Sequence, residues 1–351
     1  MGSVESDDPS AGPVVAESHE PDRLGRESLE PVTERVLRAL PGSRWLWILI
    51  WAGLAMITPL IFSTVVRVSG RPFPTTAFAN AAWTQIGLAW ASLVLLWGSG
   101  RLGEEARSTR NELTETGRVQ VPARLFAAIG RADGPLLLTG LVVAVTLVNN
   151  WLAYGPLPPI ATLPLAIAYL LPIMTFVWVY VAILTDINRL GELPVVMDRF
   201  PQDRTMGLAH VGSLASMGIG LLLVAAVPVL VAGSDEPGTL AISLTLVVGV
   251  VVVYALSMWR LHRQMAAAKE RYVSTARQLY ADAYGPIRER PDVETLTAMS
   301  SALSVAQSLD ARAAGLPTWP IDEGTARFVA VVITGVITSI IVRALFAAVG
   351  F

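Results

Sequence analysis

The chain has 351 residues, 53% of them hydrophobic and 15% charged, with a net charge of −2. That balance excludes an ordinary soluble domain, and the absence of cysteine excludes disulfides, thiolate metal sites and thiol nucleophiles. Lysine occurs once, at Lys269, and every other cation is arginine, a bias expected of a GC-rich prokaryotic genome.

Residues 1–22 carry Glu5, Asp7, Asp8, Glu17, Glu20 and Asp22 with no Lys or Arg. Such a segment buries too little apolar surface to fold alone, so 1–30 reads as a disordered acidic tail. Pro31–Leu40 follows with Val32, Val36, Leu37 and Leu40 at helical spacing and Arg35 and Arg38 opposite, which predicts a short helix on the membrane surface.

Seven apolar spans then dominate the chain: Trp45–Val66, Ala77–Gly98, Pro135–Tyr154, Ile160–Leu184, Leu208–Val231, Thr239–Met258 and Ala326–Gly350. Each reaches about 20 residues, enough at 1.5 Å per residue to cross a hydrocarbon core of ~30 Å. Pro59, Pro164, Pro172 and Pro228 are expected to kink spans one, four and five. Of the 26 cations, 23 fall before span one, between spans two and three, four and five, or six and seven. Arg67 and Arg71 alone lie on the other side, and Arg343 lies within span seven. Cations in short loops resist translocation, so the N-terminus is expected in the cytoplasm and the C-terminus outside. Trp45, Trp47, Trp97 and Trp259 at the inner ends and Trp151 at an outer end fit those boundaries. The expected fold class is therefore all-α, a polytopic protein of the cytoplasmic membrane with seven transmembrane helices.

Between the spans, Arg101–Gly117 is charged and helix-prone, and Ala123–Ile129 is expected to lie in the interface through Leu125, Phe126 and Ile129. Asp186, Asn188 and Arg189 read as a solvated cluster at the end of span four. Transmembrane spans one to six with their loops occupy 31–260, and residues 261–320 form the largest piece outside the membrane. No Gly or Pro interrupts Val250–Tyr284, so span six is expected to continue outward as one helix until Gly285-Pro286 and Pro291 break it. A second helix should run from an Asp292 N-cap to Ala314, stopped by Gly315 and Pro317. The result is a helical hairpin with Val273, Leu279, Tyr280 and Tyr284 facing Leu296, Met299, Leu303 and Leu309, offering an oligomerisation surface or serving as a spacer.

The seventh helix occupies 321–351 and concentrates its polar groups. Gly335, Ser339 and Arg343 recur every four residues, with Thr334 and Thr338 on the adjoining stripe. Two readings stand: a pore-lining face, or close packing through small residues with Arg343 reaching toward the interface.

Several chemistries are argued against. The single lysine lies outside the last helix, so a retinal Schiff base has no anchor, and a receptor of the G-protein-coupled kind would have the opposite orientation. His19, His210 and His262 fall in the tail and at two interfaces, and HExxH, GxSxG and phosphate-cradling glycine loops are missing. The expectation is a non-enzyme with no cofactor and no metal, whose partners are the lipid bilayer and further copies of itself rather than nucleic acid. Its lead function is an oligomeric, channel-like or ligand-responsive conduit. The alternative is a non-conducting scaffold or sensor subunit that binds a partner through the hairpin.

Two resemblances accompany these readings. The string Leu316-Pro317-Thr318-Trp319-Pro320-Ile321-Asp322 resembles that of a loose group of prokaryotic polytopic membrane proteins carrying L-P-x-W-P-[IF]-D ahead of a terminal apolar helix, a likeness that implies no activity. The layout is similar to that of the insect odorant and gustatory receptor type of seven-helix channel. That likeness implies four subunits meeting through cytoplasmic helices, with Thr334, Thr338 and Ser339 of the last helix facing the pore. The family's aromatic signature in the last helix is missing, and Arg343 near the outer mouth would oppose cation entry.

Overall fold

A computed structural model describes residues 29–70, 75–115, 122, 124–193, 208–232, 237–289 and 293–321, with part of the final helix between 324 and 345. Among these residues helices joined by short turns make up the chain, without strands. The elements are α1 (Val32–Ala39), α2 (Arg44–Val68), α3 (Thr75–Glu115), a 3-10 turn (Ala127–Gly130), α4 (Asp133–Tyr154), α5 (Leu157–Leu190), α6 (Ala209–Ala232), α7 (Pro237–Glu289) and α8 (Val293–Ala314).

Among the described residues, five stretches are long and apolar enough to cross a membrane: α2, Gln85–Glu115 of α3, α4, α5, and Ala209–Pro228 of α6. The expected sixth span, Thr239–Met258, forms the first part of the 53-residue α7. The expected seventh lies partly outside the described residues. The chain therefore has the build of an integral membrane protein.

Where apolar and charged stretches adjoin without a breaker, the helices run straight through. Span two and Arg101–Glu115 form one 41-residue helix, α3. The helix expected to stop at Gly285-Pro286 instead reaches Glu289. Proline lacks one donor, but its fixed φ is already helical, so it need not end a helix. Pro291 and Asp292 lie outside the described residues, and α8 begins at Val293. Between α4 and α5 only Gly155 and Pro156 remain, tighter than the expected loop to Pro159. Gly155 makes the turn at φ +80°, its N–H returning to Trp151 O at 2.8 Å. Pro158 and Pro159 fit within the first turn of α5, where N–H groups have no intrahelical partner anyway.

At the centre stands α5, packed against α2, α3, α4, α6 and α7, while α3 and α6 form the most extensive pair. Phe176, Val179, Ile183 and Ile187 of α5 meet Leu214, Ala215 and Ile219 of α6 and Leu95 and Leu102 of α3 in one buried core. Lipid tails are as apolar as leucine, so this association depends on close fit. Glycines supply it: a Cβ on Gly98 would lie 2.9 Å from Leu221 and 3.1 Å from Phe176, and one on Gly218 would run into the Tyr180 ring.

Two expectations at the arginine-rich end are corrected. Leu125, Phe126 and Ile129 are not interfacial but belong to the core. Asp186 is buried rather than solvated, because its carboxylate accepts the Phe126 N–H at 2.7 Å. That bond holds Phe126 at φ +63°, a left-handed conformation rare for an aromatic residue. In α1 the buried line is Thr33 and Leu37 while Val36 faces out, because the helix docks on α3 through the Thr33–Ser99 hydroxyl pair at 3.3 Å.

Candidate functional site

Thr334, Gly335 and Thr338 are helical and exposed, and a Cβ added to Gly335 would meet open space. Ser339 and Arg343 lie outside the described residues. Ile333 packs against the common core, while Val331, Ile337, Ile341, Val342 and Leu345 are exposed. Thr334, Gly335 and Thr338 therefore lie on the side of the helix opposite the one that meets the core.

The Leu316–Ile321 string that precedes this helix is held at nearly every step. The Lys269 ammonium donates to Ala314 O at 2.9 Å and to Leu316 O at 2.8 Å, so the chain's one lysine caps the carbonyl end of α8. His262 Nδ1 lies 2.7 Å from Thr318 O, and since a carbonyl only accepts, Nδ1 carries the hydrogen. The His262 ring stacks on Trp319 at 4.4 Å between centroids. Pro320 is buried, its carbonyl pressed against Gly212 of α6, where any Cβ would collide with it. Trp319 packs against the core.

The α7–α8 pair is closely packed. Its buried positions are Ala268 and Ala276 on α7 and Ala306 and Ala313 on α8, where small side chains let the helices approach. Leu279, Tyr280 and Tyr284 are exposed, and the two tyrosine rings stack on each other with centroids 6.0 Å apart. Leu303 and Leu309 are half-buried, and the side chains of Leu296 and Met299 lie outside the described ones. Of the large apolar residues assigned to the seam on α7, Leu279, Tyr280 and Tyr284 are thus exposed and Val273 is half-buried.

Within the bundle, polar groups serve the backbone. Proline has no N–H, so Pro172 frees the carbonyl of Ala168 and Pro228 frees that of Val224, each four residues back. Both carbonyls receive an indole N–H from another helix: Trp51 donates to Ala168 O, and Trp90 to Val224 O at 3.1 Å. Tyr180 donates to Ala215 O at 3.1 Å, and the Ser216 and Tyr254 hydroxyls pair at 2.9 Å. Inside hydrocarbon an unmatched carbonyl costs roughly several kcal/mol, so these contacts keep the proline-bearing helices viable.

At the arginine-rich end, α7 grips the end of α5. Gln264 Nε2 donates to Gly191 O at 2.6 Å and Leu193 O at 2.9 Å, and Arg260 pairs with Glu192. His210 stands between Glu112, 2.9 Å away, and Glu105, 3.8 Å away. Its two nitrogens face different carboxylates, a bridging rather than a chelating arrangement. Glu34 pairs with Arg44 at 2.9 Å, yet burial holds its carboxyl above the ordinary range, against the pull of Arg44. Among the described residues no cluster of three or more His, Asp or Glu is placed to hold a metal ion.

No protein-family model matches the chain, and no curated protein or solved structure is significantly similar to it.

Proposed function

We propose that the protein is an oligomeric integral membrane protein whose copies meet along the last helix, the polar stripe of that helix lining a conduit between them. The observation behind this reading is the outward exposure of Thr334, Gly335 and Thr338. Polar and small residues on the outer face of a membrane helix are matched better by another helix or by water than by lipid tails. In the sequence Ser339 and Arg343 continue the stripe, and an arginine in this position favours anion over cation passage. The oligomer belongs, on this reading, in the cytoplasmic membrane of a prokaryote, with the α7–α8 arm on the cytoplasmic side.

Ion flux through the purified protein in liposomes tests this. Flux that Thr338→Trp blocks and whose ion preference Arg343→Ala changes supports the conduit; absence of flux under every gradient removes it. A second reading, a non-conducting scaffold or sensor subunit, draws on the exposed Leu279, Tyr280 and Tyr284 on the arm. Crosslinking in cells separates the two, since the scaffold predicts a heterologous partner on the arm and the conduit predicts self-crosslinks.

A further inference from the structure

We infer that the rim formed by α1, the 124–131 loop and the start of α4 binds the headgroup of an anionic phospholipid. Three guanidinium groups carry the charge. Arg35 reaches across from α1 and donates to Gly130 O at 2.6 Å, which brings it beside Arg131; Arg124 opens the same compact turn, its carbonyl accepting the Ala127 N–H at 3.0 Å. All three are exposed, and none has a carboxylate partner among the described residues. They differ in this from Arg38, Arg44, Arg101, Arg189 and Arg260, each of which is paired. Two nearby acids are occupied elsewhere, Glu30 with Arg38 and Glu34 with Arg44, while Asp133 lies in the first turn of α4, where the helix dipole favours an anion.

The apolar half of the site adjoins the cations. Two residues after Arg131 begins α4, with only 11% of its most apolar stretch buried, the least covered of the five spanning stretches among the described residues. Leu136, Leu137 and Leu141 are 54%, 69% and 59% exposed, forming an outward apolar surface that starts within two turns of Arg131. Cations at the head of a bare apolar helix match a phosphate joined to acyl chains, whereas a free anion has no use for the leucines. The loop itself is fixed: Trp178 donates to Ala128 O at 2.9 Å, Asp186 holds Phe126, and Ile129 is fully buried. Its shape therefore preexists the lipid, which lowers the ordering cost of binding.

The test compares full-length wild type with Arg124→Gln/Arg131→Gln in phosphatidylcholine nanodiscs titrated with phosphatidylglycerol, counting bound phosphatidylglycerol by native mass spectrometry. A cation near an anionic lipid surface is worth roughly fivefold in binding, so the double variant should bind about 25-fold more weakly. A charge-matched control, Arg271→Gln/Arg277→Gln on the α7 arm, should bind as wild type does. The Arg124 and Arg131 side chains hold no other element of the described fold in place, so the double variant should fold, which circular dichroism and gel filtration check. If it is nonetheless misfolded, Arg124→Gln and Arg131→Gln are tested singly, each expected to weaken binding about fivefold. Equal binding by wild type and rim variants, an equal loss in the control, or an equal thermal shift with inorganic phosphate in place of the lipid would each overturn the assignment.

Discussion

Replacing Trp90 by Phe probes how this fold tolerates proline inside a membrane helix. Phenylalanine keeps an aromatic ring but removes the indole donor directed at Val224 O, whose usual partner is missing because residue 228 is proline. A lost neutral hydrogen bond costs about 1 kcal/mol, and interhelical bonds in membranes average ~0.6 kcal/mol with a maximum near ~1.7 kcal/mol. Unmatched in hydrocarbon, the carbonyl should place Trp90→Phe toward the upper end of that range, about 1–1.5 kcal/mol. Pro228→Ala restores the backbone N–H and so makes the indole redundant. In the Pro228→Ala background Trp90→Phe should then cost only its lost packing, which leaves a coupling of roughly 1 kcal/mol in the double-mutant cycle. Reversible unfolding in mixed micelles, followed by helicity, measures all four corners. An identical cost in both backgrounds would refute the pairing of indole with freed carbonyl.

Trp51→Phe should behave in the same way against Pro172→Ala, since Trp51 serves the carbonyl that Pro172 frees. Gly212→Ala should destabilise by about 1–3 kcal/mol, because the obstructing atom is the Pro320 backbone carbonyl, whereas Gly98→Ala should cost less because the Leu221 side chain can yield; thermal unfolding in detergent ranks the two. Lys269→Met removes the cap from the end of α8 and should lower stability by about 1–2 kcal/mol, with faster amide exchange in the last turn of that helix. The Glu34 carboxyl lies above its ordinary value of 4.5, so its protonated form fits the folded state better. Its contribution to stability is complete below pH 4.5 and is lost as pH rises through the elevated value. The advantage of wild type over Glu34→Gln should accordingly shrink from about pH 4 toward neutrality, and a constant difference across a pH series of thermal unfolding curves would contradict this.

Long apolar runs were legible as helices even where they contain proline, which placed α2, α4 and α6 to within two residues of their observed ends, while α5 runs six residues beyond the expected Leu184. Boundaries failed at prolines. Pro158, Pro159 and Pro286 all lie within helices, because a first-turn proline costs nothing and an internal one can be tolerated. Burial was harder to read than helicity. Leu125, Phe126 and Ile129 have the composition of an interfacial loop, and only Asp186, 60 positions after Phe126, reveals why the turn is buried. The four-residue offset from Trp90's partner to Pro228 was present in the sequence, but the pairing of α3 with α6 was not, so the indole had no visible acceptor. The stripe of Thr334, Gly335 and Thr338 was legible as a pattern, and its outward direction came only from seeing Ile333 meet the core.

The central claim is that copies meet along the last helix, and the cysteine-free chain allows a direct test by single-cysteine crosslinking in native membranes. Thr338→Cys should form a covalent dimer under mild oxidation, while Val252→Cys, on the exposed face of α7, should stay monomeric. Thr338→Cys that remains monomeric, or crosslinks no better than Val252→Cys, would contradict the account.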